Sequence, residues 1–157
     1  MHQLDKIFQQ VNVPCKDNGC EFLVSDKLDA VAHLLADSRY SLKYSGALSR
    51  IYSSADYDGS PIVLISVHVD DVYNTYFLQD LGQSLWQGTF DNSLSAACVL
   101  HEMLGEHLPA NVWVALTGDE EVHSNGAKEV CEILTADCIN IAQVVVTEVT
   151  HVGWQDQ

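Results

Sequence analysis

The sequence predicts an α/β domain, a sheet with helices on its faces. Three observations carry this. Short runs that are almost wholly apolar and β-branched occur at residues 61–70, 111–117 and 141–149. Apolar residues at helical spacing separate them, at 93–106 and 126–134. Polar, turn-forming stretches mark each change of period. With 157 residues, a single domain spanning 1–157 is expected. Apolar residues make up 47% of the chain, enough for a packed core rather than disorder.

In chain order, Leu4–Val11 reads as a short helix. Ser25–Ala36 is a clearer one, with Leu28, Val31, Ala32, Leu34 and Leu35 at helical spacing and Ser25 as candidate N-cap. Two strand-like pieces follow near 41–45 and 48–54, with Gly46 in the turn between them. Pro61 opens the first apolar strand, which reads as buried on both faces. Residues 71–90 read as a polar loop. Its Tyr73, Tyr76, Phe77 and Trp86 could line a pocket or cover the core equally well. The helix at 93–106 is expected to bury Leu94, Ala97, Cys98, Leu100 and Leu104. The run 111–117 is the second buried strand, and 141–149 the third.

Charge excludes several functions. Seven Lys plus Arg stand against 22 Asp plus Glu, a net charge of −15. Nucleic acid and anionic membrane surfaces both require a basic face, so neither is an expected partner. No apolar run approaches the ~20 residues of a membrane span, and no signal-peptide pattern opens the chain. Cys98 and Cys131 fall in apolar helical patterns and read as small core residues. Cys15 and Cys20 have no matching second pair, so a zinc knuckle is not expected. The cytoplasm is the simplest compartment.

In open α/β sheets the working groups gather at the carboxyl ends of strands. Here each such end carries chemistry. The first strand ends in His68-Val69-Asp70, and alternation puts His68 and Asp70 on one face. Asp119, Glu120 and Glu121 follow the second strand, Glu148 sits in the third, and Asp91-Asn92 opens the helix between the first two. Singly, each has an ordinary reading: a hydrogen-bonded histidine, a helix cap, a solvated loop carboxylate. Together they put one imidazole and several carboxylates on one sheet edge. No Lys or Arg lies between Arg50 and Lys128 to neutralise them. Like charges so close repel unless a cation sits among them. Oxygen and imidazole donors without thiolate suit zinc, cobalt or manganese.

The segments HVD (68–70), GTFDNSLSAA (88–97), GDEEVHSNGA (118–127) and VTEVTH (146–151) resemble the dinuclear zinc exopeptidases. Among them the leucyl-aminopeptidase-like zinc aminopeptidases are the most similar branch. The resemblance covers roughly residues 60–151. It implies a three-layer, mixed but mostly parallel sheet with helices on both faces, of which this chain would be the N-terminal part. It also implies Zn2+, one or two ions (with Co2+ or Mn2+ as substitutes), and a peptide or N-terminal amino-acid substrate. By the same resemblance Asp91 would bridge two ions and His68 and Glu148 would complete the first site. Glu121 would bind the second ion, Glu120 would be the general base, and Asp70 would orient His68. A non-catalytic relative, or an amide deacylase or carboxypeptidase of the same clan, carries the same motifs. The family's histidine for the second ion has no counterpart here: His151 follows Glu148 too closely and His123 is misplaced. A sheet cut short would leave an open edge, the expected route to a homo-oligomer.

Overall fold

Val112–Thr117 is buried at every residue. A strand with no polar side before its last residue needs apolar cover on both faces and a neighbour on each side. The fold supplies all four. The computed structural model describes residues 3–12, 16–17, 22–70, 78–82 and 85–149. Its elements are α1 (Gln3–Val11), β1 (Lys16–Asp17), β2 (Phe22–Leu23), α2 (Ser25–Leu35), β3 (Tyr40–Ser45), β4 (Ser49–Ser54) and β5 (Ile62–His68). They continue with β6 (Leu78–Gly82), β7 (Leu85–Gly88), α3 (Ser93–Leu104), β8 (Val112–Thr117), α4 (Asn125–Ala136) and β9 (Ile141–Thr147).

Five strands form the main sheet in the order β3-β4-β8-β5-β9, with β8 at its centre. β5 pairs parallel with β8 and with β9, while β3–β4 and β4–β8 are antiparallel. The sheet is thus mixed, as expected, with parallel and antiparallel pairings in equal number rather than mostly parallel. A hairpin turning at Gly46 can only pair antiparallel, and it lays β4 along β8. Alternation along β5 and β8 feeds two cores. Val67, Val114 and Leu116 pack with α1, α2 and α3 through Phe8, Leu28, Val31, Leu100 and Met103. Ile62, Leu64, Trp113 and Ala115 pack with α4 through Val130 and Leu134. Helices therefore cover both faces.

Glu129 of α4 fastens the β3–β4 turn. Its carboxylate accepts from the Ala47 and Leu48 backbone N–H groups at 2.8 and 3.1 Å and from Ser49 Oγ at 2.5 Å. Gly46 leaves room for it, since a Cβ there would overlap the Glu129 carboxylate. Hydrogen bonds to a charged acceptor contribute most. Glu129→Ala is expected to destabilise the fold by about 2 kcal/mol in urea denaturation. An unmoved midpoint would mean that water replaces the carboxylate at no cost.

Several expectations are corrected. The strand at 141–149 is not buried on both faces. Among the described residues β9 is an edge strand paired with β5 alone, and Val144 and Val146 are 53% and 73% exposed. Both lie on the α4 side of the sheet, Val144 opposite Leu64. α4 follows β8 and rests over β8 and β4, so it does not reach them. Cys98 and Cys131 are exposed rather than core, on the outward sides of α3 and α4. α3 instead buries Ala96, Ala97, Leu100 and Met103, with Leu94 and Leu104 only partly buried. The presumed loop 71–90 contains the hairpin β6–β7, whose Gly82 takes φ +83° where its N–H meets Asp80 Oδ1 at 2.7 Å. α2 starts at Ser25 itself, with Val24 in the cap position and no side-chain cap. Cys15, Cys20, Tyr73, Tyr76, Phe77, His151 and the side chain of Trp86 lie outside the described residues. Among the described residues no helix is long and apolar enough to cross a membrane.

Candidate metal centre

β5 leads toward α3 on one face of the sheet, and β8 leads into α4 on the other. Where neighbouring parallel strands send their chains to opposite faces, their carboxyl ends part and leave a crevice. His68 ends β5, level with Thr117 at the end of β8. The crevice therefore lies between His68-Val69-Asp70 and Asp119-Glu120-Glu121.

His68 is 5% exposed. Its Nδ1 faces the Asp70 carbonyl oxygen at 3.1 Å and Asp70 Oδ1 at 3.4 Å. Both partners accept, so Nδ1 carries a hydrogen, which leaves Nε2 as the nitrogen that can ligate once its own proton is displaced. Nε2 lies 2.9 Å from Glu148 Oε2 and 3.6 Å from Asp91 Oδ1. Asp70 is fully buried and also accepts from the Glu121 backbone N–H at 3.3 Å. It thereby joins the β5 end to the β8 turn. Glu148 stands just past β9, its side chain 40% exposed. The expectation of a carboxylate sunk in an apolar strand is corrected by β9's place at the edge.

One donor atom from each of His68, Asp91 and Glu148 lies within 4.8 Å of the others, and so does one from each of His68, Glu120 and Glu121. All five predicted ligand and base positions thus meet at one imidazole. Asp70 stands behind it, as an orienting residue should. Asp119 departs from the expectation that the whole triplet faces a cation. It is 5% exposed and accepts from Asn125 Nδ2 at 2.5 Å, with φ +60°. It shapes the turn that presents its two neighbours.

The electrostatics ask for a positive charge. Burial and the nearby Glu148 raise the Asp91 carboxyl above its usual range. Burial, Asp91 and Glu120 raise Glu121. Burial alone would lower the His68 imidazole, but the carboxylates of Asp70, Glu148 and Glu120 outweigh it and bring it to about 9. Burial pushes Asp70 up, yet His68 and the Glu120 and Glu121 N–H groups hold it below its usual range. Asp91 Oδ1 is buried with no hydrogen-bond partner. A buried carboxylate oxygen without a donor is costly. Asp91 is also no helix cap: Asn92 holds the cap position of α3, and no side chain caps it. The donor set fits a divalent ion.

No protein-family model and no curated protein matches this chain.

Two further residues brace the start of α3 beside the site. Asn92 is fully buried and donates from Nδ2 to the Thr147 carbonyl at 3.1 Å, tying the start of α3 to the end of β9 and so Asp91 toward Glu148. Lys27, 1% exposed, donates to Ser93 Oγ at 3.2 Å and brings a cation to the first turn of α3 from outside the Arg50–Lys128 span. Its signal was legible, for Lys27 shares the buried stripe of α2 with Leu28, Val31 and Leu35.

Proposed function

We propose that the protein is a metal-dependent exopeptidase of the aminopeptidase kind. The observation that carries the reading is the convergence of His68, Asp91 and Glu148, with Asp91 Oδ1 buried and without a hydrogen-bond donor. His68, Asp91 and Glu148 would hold a first ion, with Glu121 reaching toward a second. An ion bound there would act as a Lewis acid, activating water and polarising the scissile carbonyl. Glu120 is exposed at the mouth of the crevice, where it would take a proton from the attacking water and return it to the departing amine. Asp70 keeps the imidazole in the tautomer that ligates.

Charge separates substrates within this reading. A free α-carboxylate would meet Asp91, Glu120, Glu121 and Glu148. Arg50 is engaged by the Gly46 and Ser49 carbonyls, and Lys128 by His123 O and Asn125 Oδ1. An α-amine suits such a site better than a carboxylate, which favours an aminopeptidase over a carboxypeptidase or deacylase.

A second reading, a metal-binding protein without turnover, draws on one fact. Both three-donor groups use His68, and with Nδ1 engaged its Nε2 serves one ion at a time. Assays with zinc, cobalt or manganese decide between the two. Leucyl- or glutamyl-anilides are expected to release the free N-terminal residue. Glu120→Gln is expected to cut turnover by at least ~10²-fold with metal content unchanged. Full turnover in that variant removes Glu120 as base. Release from N-acyl amino acids alone makes the protein a deacylase, and bound metal without any turnover establishes the second reading.

A further inference from the structure

We propose that His101, Glu102 and His107 form a second, surface site for a zinc-like divalent ion, at the far end of α3 from the first. The inference is independent of the proposed function. His101 Nδ1 lies 3.3 Å from Glu102 Oε1, and His107 Nδ1 lies 3.1 Å from Glu102 Oε2. Two imidazoles thus address the two oxygens of one carboxylate. Ligand atoms that share a zinc ion through bonds of about 2.0–2.1 Å stand ~3.3 Å apart in a tetrahedron. The rings straddle the carboxylate, their centroids 6.3 Å apart. The three do not yet offer one atom each within 4.8 Å of the others, as the two groups at His68 do, so closing them on a common ion takes a rotation of histidine side chains that are 32% and 58% exposed. Each neutral imidazole can move its proton to Nε2 and offer Nδ1. Two histidines and a glutamate leave a fourth position for water, a recognised zinc donor set.

The backbone builds the arrangement. α3 ends with Glu106 N–H bonded to Met103 O and His107 N–H bonded to Glu102 O at 3.1 and 3.0 Å, and Glu106 has φ +58°. This is the Schellman pattern, which folds the residue two past the cap onto the last turn. An apolar pair normally fills that contact, and here His107 meets Glu102 instead. The left-handed residue is usually glycine, yet the chain places Glu106 there and its glycine one position earlier. A Cβ on Gly105 would lie 2.6–3.0 Å from three atoms of the His107 ring. The glycine sits where the imidazole needs room, not where the backbone turns.

Equilibrium dialysis of the full chain against zinc tests the site. Asp91→Asn with Glu121→Gln and Glu148→Gln disables both three-donor groups at His68. That variant is expected to keep about one equivalent of zinc and to show His101 and His107 ring-nitrogen NMR signals that move on titration. Adding His107→Ala, a surface change that spares the core, is expected to weaken this binding at least ~10-fold. Gly105→Ala is expected to weaken it comparably while His101 and Glu102 remain. Zinc binding that ignores both His107→Ala and Gly105→Ala, or ring signals that zinc does not move, would overturn the proposal.

Discussion

Zinc at a fixed concentration, about 100 times its dissociation constant at pH 8, is expected to raise the melting temperature by roughly 5–10 °C near pH 8, and by much less near pH 6. The magnitude follows from mass action: a ligand at that excess stabilises the folded state by ~2.7 kcal/mol. A chain of this length gains roughly 2–4 °C per kcal/mol. The pH dependence follows from His68, whose pKa stands at about 9 without metal. A proton on Nε2 blocks ligation, so the ion must displace it, more easily as pH rises toward that value. The metal-free protein moves the opposite way. A raised histidine pKa contributes stability that is fully present below the unfolded value of about 6.5 and is lost as pH rises through 9. The gap between metal-free and metal-loaded melting curves should therefore widen from pH 6 to pH 8. Asp91→Asn separates a built centre from a chance cluster. Without metal the substitution should stabilise the protein, because burial and Glu148 already disfavour the charge on Asp91. With zinc it should erase most of the gain. A variant that is less stable without metal, and still responds to zinc as the natural protein does, would show that Asp91 is a structural carboxylate.

The sequence showed strand ends better than strand neighbours. His68, Asp70, Asp91, Glu120, Glu121 and Glu148 were each legible because polar residues at the tip of an apolar run stand out, and helix–strand alternation aligns the tips of parallel strands. Their convergence on one imidazole follows from that alone. The edge position of 141–147 was not legible. A run such as IAQVVVT has the same composition whether a helix covers it or not, and only the path of α4 over β4 and β8 leaves Val144 and Val146 bare. Cys98 and Cys131 failed for a related reason. A small residue fits an apolar stripe or its margin equally well, and one step around a helix is a 100° rotation. Asp119 was grouped with its neighbours because three adjacent acids look alike in sequence. Its left-handed backbone and its bond to Asn125 are properties of the turn. The antiparallel docking of β3–β4 on β8 depends on contacts far along the chain, which no local period encodes.

Gly126→Ala is expected to be among the most damaging single-methyl additions in the molecule, and it should strike fold and centre together. A Cβ at Gly126 would lie 2.5 Å from Gly118 O, 2.6 Å from Gly118 N and 2.8 Å from Leu48 O. All three are backbone atoms and cannot rotate aside. The Gly126 N–H bonds to Gly118 O at 3.1 Å, and the Gly118 N–H to Leu48 O at 2.8 Å. The start of α4 is thus pressed against the end of β8 and the β3–β4 turn at once. Room for one methyl can come only from lifting the first turn of α4. That move strains both hydrogen bonds and pulls at the Glu129 clamp one helical turn onward. Overpacking of this kind costs about 3 kcal/mol, or roughly 6–12 °C in melting temperature for a chain of this size. The displaced segment also carries Asp119–Glu121. Asp70 holds that segment by its bond to the Glu121 N–H, so a lifted turn moves Glu120 and Glu121 away from His68. Zinc should still reach His68, Asp91 and Glu148, which hang from β5, α3 and β9. The variant should therefore keep most of its zinc-dependent gain in stability while losing the turnover that requires Glu120. Calorimetry with and without zinc, beside the anilide assay, reads both parts. A melting temperature within a degree of the natural protein's would show that the close approach at Gly126 is not needed to hold the turn.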